Sequence, residues 1–477
     1  MKEYIDFWSK PQTEMDYTSF SIKLLPVLAI GTVFWHGPDG AALRRTARQW
    51  VFSAQQWLSA PLEKSRMNLS GLQIQCLLIL AREALGVGSD LIWISTGTVL
   101  RTAMQLGYNR DPKHFPGISV LHAEMRRRLW ATIVEMVMQA SFHIAMPPLI
   151  SMNDWDTEPP ANVNDIDIGR ESGLPIVSKP LTTFTQTSVQ ILVRRSLKTR
   201  IEIFQASNNL NSEISYDEAL RLDAELRKSC RELTSYTSAV SAQQFSSFGR
   251  NHLEVILRRP LITLHRPWAI KARTDPRFYF SRKILLETCL EELSSLPSSD
   301  YRSILLIGSG IWRDDAATPA MNIALELITQ IEEQDMNLSS DIQRIRSKIA
   351  REPLIQELRD AVALTKERFH LDEEVNVKCC YIMALFLAQV EAMENGEDVE
   401  VAITKVAKQS LMESYEALKA RNPDPEKDVS QGNIPGWDED TVRPIDDGFS
   451  YDFAQDLAFD FDFSDAALED WEAPSWL

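Results

Sequence analysis

Apolar residues recur every three or four positions along most of this chain, and that periodicity restricts the fold more than any single motif does. Leu72, Cys76, Ile79, Leu80 and Ala84 share one helical face. The element is expected to stop at Gly86-Val87-Gly88, because glycine takes the left-handed conformation that ends a helix. Ser89 or Asp90 is then expected to accept the free amide hydrogens at the start of a second helix, which runs through Val99, Ala103 and Met104 and ends at Gly107. Leu121, Met125, Leu129, Ile133, Val137, Ala140 and Ile144 predict a third helix with a buried stripe. On its other face Glu124 precedes Arg127 and Arg128 at the spacing of helical ion pairs, each worth about 0.2–0.5 kcal/mol.

Gly contributes 18 and Pro 23 of the 477 residues, too few for the turns of a long all-β chain. No period-2 strand series and no fixed-period repeat interrupts the helical pattern. The expected fold class is all-α, a large multi-helix body with a disordered acidic C-terminal tail. Three parts are expected: 1–170, 171–425 and 426–477, with body connections at Pro147-Pro148, at Glu158 to Lys179 and at Ser295 to Asp300. The apolar run Leu24 to Trp35 contains Pro26 and Gly31 and falls short of the roughly 20 residues that cross a bilayer. The first ten residues lack the basic and apolar blocks of a signal peptide, so a soluble intracellular protein without a membrane partner is expected. Cys76, Cys230, Cys289, Cys379 and Cys380 are odd in number and lack zinc-site spacing, which points to buried small apolar residues in a reducing compartment.

Charge is concentrated at one end. The whole chain carries −17, yet residues 436–477 hold thirteen acids against Arg443 alone. The remaining body is close to neutral, so it does not attract nucleic acid by bulk electrostatics. The same segment carries Trp437, Phe449, Tyr451, Phe453, Phe459, Phe461, Phe463, Trp471 and Trp476, and Phe459-Asp460-Phe461-Asp462-Phe463 alternates aromatic and acid strictly. These side chains cannot offset the entropy of fixing the segment alone. The composition is that of a transcriptional activation segment, whose charges keep the rings hydrated and available to a coactivator's groove. A solubilising tail, or one docked on its own body, is the plainer alternative.

Two basic runs invite a nucleic-acid or import reading. Arg126-Arg127-Arg128 points in three directions around a helix and is expected to be solvated or internally paired. Arg194-Arg195-Ser196-Leu197-Lys198-Thr199-Arg200 is a weak nuclear-import candidate or an ordinary charged helix face.

Three segments together carry a family resemblance: Val99 to Pro112, then Glu124-Met125-Arg126-Arg127-Arg128-Leu129-Trp130, then Pro159-Pro160-Ala161-Asn162-Val163-Asn164-Asp165-Ile166-Asp167. They resemble the fungal-specific transcription factor domain, the middle homology region of fungal zinc-cluster regulators, and Leu264-His265-Arg266-Pro267-Trp268 is similar to a His-Arg-Pro element of the same family. The matching structural positions are Arg101, Leu106, Gly107, Arg110, Asp111, Pro112, Glu124, Arg127, Arg128, Trp130, Pro160, Asn162 and Asp165. Physically, Gly107 can cap a helix, Pro112 forbids its continuation, and Trp130 is expected at a helix interface. The chain departs from the family pattern at Tyr108-Asn109 and at Ala145-Met146-Pro147-Pro148, where the family usually has Leu-His and Gly-x-Pro.

The resemblance implies a nuclear regulator of transcription, an activator of a pathway or biosynthetic gene set, whose tail meets the transcription machinery or coactivators. Family members typically begin with a six-cysteine zinc cluster and a basic linker, or with two zinc fingers, and neither precedes Lys10. Three readings stay open: a fragment, a regulator that reaches DNA through a partner, or one that no longer binds DNA. No cofactor is expected in this chain, and zinc only in such an N-terminal module. A homo- or heterodimer is left open.

Enzyme patterns are missing. Arg313-Asp314-Asp315 lacks a third Asp at i+4 for magnesium diphosphate chemistry, Gly308-Ser309-Gly310 has the wrong spacing for a nucleophile elbow, and Gly86-x-Gly88 lacks a third dinucleotide-binding glycine. No His-Glu-x-x-His occurs, and no enzyme is expected. A helical scaffold, adaptor or co-regulator without DNA binding is the alternative function, and effector sensing by the helical body is a third reading.

Overall fold

The computed structural model describes residues 14–59, 64–168, 176–211, 213–294, 299–336, 341–371 and 377–421, and among them every regular element is helical. The chain is therefore all-α, as its periodicity predicts. Helices α1 (Glu14–Gly31) and α2 (Gly40–Ser59) lead into α3 (Leu69–Leu85), which opens where the Asn68 side chain accepts the Gly71 amide at 2.9 Å. Helix α3 ends at Gly86, left-handed at φ 70°, whose N–H donates to the Arg82 carbonyl.

The next start departs from expectation. A 3₁₀ turn, Ser89–Leu91, intervenes, and α4 (Ile92–Gln105) begins after Leu91 with no side-chain cap from Ser89 or Asp90. Glycine does close α4: Gly107 sits at φ 73° and donates to the Met104 carbonyl at 2.8 Å. Helix α5 (Val120–Ile144) is capped by Ser119, which accepts the His122 amide. Its stripe buries Leu129, Ile133, Val137 and Ala140, but Leu121, in the first turn, is 45% exposed. Ala145, the cap that follows its last residue, holds φ 51°, a conformation that favours glycine.

An irregular segment with one short helix, α6 (Asp165–Ile168), follows, then α7 (Ser188–Arg195), α8 (Leu197–Ser207), α9 (Tyr216–Ala239), α10 (Ser247–Lys271), α11 (Tyr279–Ser294), α12 (Ser299–Ile307), α13 (Ile311–Met336), α14 (Asp341–Leu371), α15 (Val377–Asn395) and α16 (Val399–Arg421). Met1–Leu411 forms one unit and Met412–Leu477 another, of which only the end of α16 is described. The acidic tail and its nine aromatic positions lie outside the described residues.

Among the described residues, four apolar clusters fill the first unit. Trp130, Ile133, Leu72, Leu100 and Phe204 centre one among α3, α4, α5 and α8. Ala29, Val51 and Leu85 pack with Tyr301, Ile304 and Trp312, so α1–α3 are sealed by α12 and α13. Cys289, Leu327, Leu358 and Val390 join α11, α13, α14 and α15, and Ile203, Leu222, Leu257 and Leu264 join α8, α9 and α10. Cys76, Cys289 and Cys380 are buried, and Cys230 and Cys379 half-buried. Burial pushes the Cys76 thiol up to about 12 and that of Cys230 up to about 11, which holds both in the unreactive thiol form. Among the described residues no helix is long and apolar enough to cross a membrane.

Candidate functional site

The family-motif residues converge on the irregular segment after α5. Asp111, just past α4, is fully buried and accepts two hydrogen bonds from Arg127 of α5, at 2.9 and 2.8 Å, and two more from the Lys113 and Glu158 amides. Burial alone would raise its pKa, but these donors bring it down to about 2. Glu124, also buried, accepts from Arg128 at 3.0 Å and from the Ala161 amide. Arg128 reaches on to Asp165 at 2.6 Å and to the Val163 carbonyl. The expected i+4 pair of Glu124 thus forms, whereas Arg127 turns to Asp111 instead of closing the i+3 pair.

Asn162 is the hub that folds the irregular segment back on itself. Its amide nitrogen donates to the carbonyls of Lys179, Pro180 and Thr183, and its amide oxygen accepts from Thr185 and Ser188. Pro112 and Pro160 are buried beside this network, and Leu106 and Trp155 pack on the first core cluster with Trp130, whose ring lies 5.9 Å from that of Trp155. Arg101 is exposed on α4, while Arg110 reaches Asp156 at 3.3 Å on the surface. Together these side chains pin residues 145–168 and 176–187 to α4 and α5.

A second polar network lies among the helices themselves. Arg259 of α10 donates to Gln139 at 2.6 Å, to the Ile311 carbonyl and to Asp315, which also accepts from the Tyr301 hydroxyl at 2.8 Å. Arg200, with no exposed surface, holds Glu135 through two bonds of 2.7 and 2.8 Å, and Gln139 donates to the same carboxylate. Burial raises the Glu83 carboxyl to about 8, and burial with the nearby Asp315 raises Glu292 as well. His252, stripped of water and near Arg259, falls to about 4 and is neutral at physiological pH. Among the described residues no group of three or more His, Cys, Asp or Glu side chains is placed to hold a metal.

Among the spaces left by this packing is a cleft of about 740 Å³ between α5, α7 and α10, within the size range of small-molecule sites. Val134, Phe184, Val189, Val193, Phe245 and Ile256 are among the apolar residues that line it, and Arg128, Glu135, Asp165, Gln190 and Arg194 among the polar ones. Glu135 is engaged by Arg200, and Asp165, exposed at the rim, by Arg128. The Arg194 guanidinium carbon sits over Trp155, 4.1 Å from the ring centre, and the side chain donates to the Thr157 carbonyl at 2.6 Å.

This arrangement breaks up both basic runs. Arg126 lies over Tyr108 at 4.2 Å and donates to the Leu106 carbonyl, so all three arginines of the first run are engaged internally. In the second, Arg200 is buried and Arg194 stacked, which leaves Arg195 and Lys198 exposed and no continuous basic face. The special position of Arg194 is not evident from its sequence context, which reads only as part of that run.

The fungal specific transcription factor domain model matches residues 2–242, which contain the whole α4–α5 motif network. The chain belongs to this family. It is similar to Transcription factor opdR of Penicillium oxalicum, with 34% identity over 93% of this chain and 60% of that protein. It also resembles Transcription factor lepE of Aspergillus flavus, at 31% identity over 91% of this chain and 55% of the relative. The Aspyridones cluster regulator apdR of Emericella nidulans is 30% identical over 89% of this chain and 59% of its own length. The chain thus spans little more than half the length of these curated relatives. No solved structure matches it. The family and these relatives are transcription factors and regulators, not enzymes.

Proposed function

We propose that this chain is the regulatory body and activating tail of a nuclear fungal transcription regulator that switches on a biosynthetic gene set. The observation that carries the reading is the attachment of thirteen acids and nine aromatics, in residues 436–477, to a body of this family. Acidity hinders self-collapse of the rings, and a coactivator's apolar groove gains area by taking them. A relative named as a cluster regulator supports the biosynthetic target. The near-neutral body gives DNA no electrostatic footing, so contact with DNA falls to an N-terminal zinc module outside this chain or to a partner subunit.

Fusion of residues 426–477 to a heterologous DNA-binding domain tests the activating role. A reporter gene is expected to respond, and to fall silent when the nine aromatics are replaced by Ala with the acids kept. A silent parent fusion, or activation unchanged by those replacements, overturns the reading.

A further inference from the structure

The cleft between α5, α7 and α10 holds a mismatch. Its acids are matched: Glu135 is doubly bonded by Arg200, and Asp165 is held by Arg128, which also holds Glu124. Arg194, which lines the same cleft, has no carboxylate partner among the described residues. One of its five N–H bonds goes to the Thr157 carbonyl, and its face is taken by Trp155. Its position over Trp155 and its bond to Thr157 restrain the side chain in advance, so an incoming anion need not bear the full cost of ordering it. The loss of water around Arg194 lowers its pKa to about 10, which leaves it charged at neutral pH. A partly dehydrated cation beside apolar walls has more to gain from a bidentate anion than one in bulk water does.

We propose that this cleft binds a small amphipathic anion, an apolar or aromatic body carrying one carboxylate or comparable acid group, with Arg194 as its anchor. The volume of about 740 Å³ accommodates a ligand of drug-like size. Phe184, Val189, Val193, Phe245 and Ile256 take the apolar body, and the Arg194 fork takes the acid. The inference is independent of the transcriptional reading, since binding is measured on the purified chain without DNA or a reporter.

The test uses the full chain and two fluorescent probes of similar shape, 1-anilinonaphthalene-8-sulfonate and its uncharged analogue N-phenyl-1-naphthylamine. The wild type is expected to bind one equivalent of the sulfonate at least tenfold more tightly than the neutral probe. Arg194→Met is expected to erase that preference while still binding the neutral probe, and Arg194→Lys to keep part of it. Val189→Trp, which fills the cleft, is expected to abolish saturable binding of both. Thermal unfolding of each variant identifies any that has not folded, and the Lys variant together with the two-probe ratio in the wild type keeps the test decisive in that case. Equal affinity of the wild type for both probes overturns the proposal, as does sulfonate binding unchanged in a folded Arg194→Met or Val189→Trp.

Discussion

Arg127 and Asp111 meet as a bidentate pair at 2.8 and 2.9 Å, tying the third turn of α5 to the loop that leaves α4. The two partners are unequal, for Asp111 has no exposed surface whereas Arg127 keeps about a quarter of its own. Removing the arginine strands a buried charge. Arg127→Met is therefore expected to cost about 3 kcal/mol or more in denaturant unfolding. Because Asp111 is held at about 2, below its ordinary 3.8, its contribution is complete above about pH 4 and disappears as the pH falls through 2. Asp111→Asn should flatten that acid limb in a pH series of unfolding curves; an unchanged limb would show that the pair is not its source.

Ala145 closes α5 in the left-handed region at φ 51°, where its Cβ is strained. Ala145→Gly removes the strain but adds freedom to the unfolded chain. The balance is expected to favour the variant by about 0.5 kcal/mol, and Ala145→Val should be destabilised instead. Urea midpoints of the three proteins give the order directly.

Glu83 and Glu292 are carboxyls that burial holds protonated, Glu83 up to about 8, and the Oε2 of Glu292 is buried without a hydrogen-bond partner. Their pKa values are raised on folding, so the stability each contributes is full below the ordinary value of 4.5 and is lost as the pH rises through 8. The melting temperature is expected to decline from pH 5.5 to pH 8.5. Glu292→Gln, which cannot ionise, should decline less steeply, by roughly 1 kcal/mol per pH unit at most. Parallel slopes in the two proteins would contradict the assignment.

His265 is fully buried between helices, its Nε2 3.1 Å from an Asp223 oxygen on α9 and its Nδ1 2.9 Å from the Ser281 hydroxyl on α11. His265→Ala removes one polar partner each from Asp223 and Ser281, which keep Arg227 and Tyr216 respectively, and opens a cavity, for an expected loss of about 2–3 kcal/mol. His265→Gln, which can keep one bond, should recover part of it. Calorimetry of the pair distinguishes hydrogen bonding from simple packing.

Helices α3, α4 and α5 are legible in the sequence because their ends are set locally, by Asn68, Gly86, Gly107 and Ser119, and their faces repeat with the helical period. Local rules fail where packing overrides them. Pro260 and Pro267 lie inside α10, which continues because Leu257, Leu261, Leu264 and Trp268 bury its face in the fourth core cluster. Ser89 and Asp90 do not cap α4, since a 3₁₀ turn takes their place. Asn162 is visible as a motif residue, but its role as hub depends on partners from Lys179 to Ser188 that no spacing rule connects to it. Arg194 and Arg195 are chemically identical neighbours, and only the fold makes one stack on Trp155 and leaves the other in water.

The sealing of Ala29, Val51 and Leu85 by Tyr301, Ile304 and Trp312 also sets a timetable for synthesis. At roughly 5–20 residues per second, the ribosome needs some tens of seconds after α3 emerges to deliver those partners. Throughout that interval the first three helices can pack on one another, but the part of their apolar surface that meets α12 and α13 lacks its native cover. The yield of the protein in a cell is therefore expected to fall when holdase capacity is lowered.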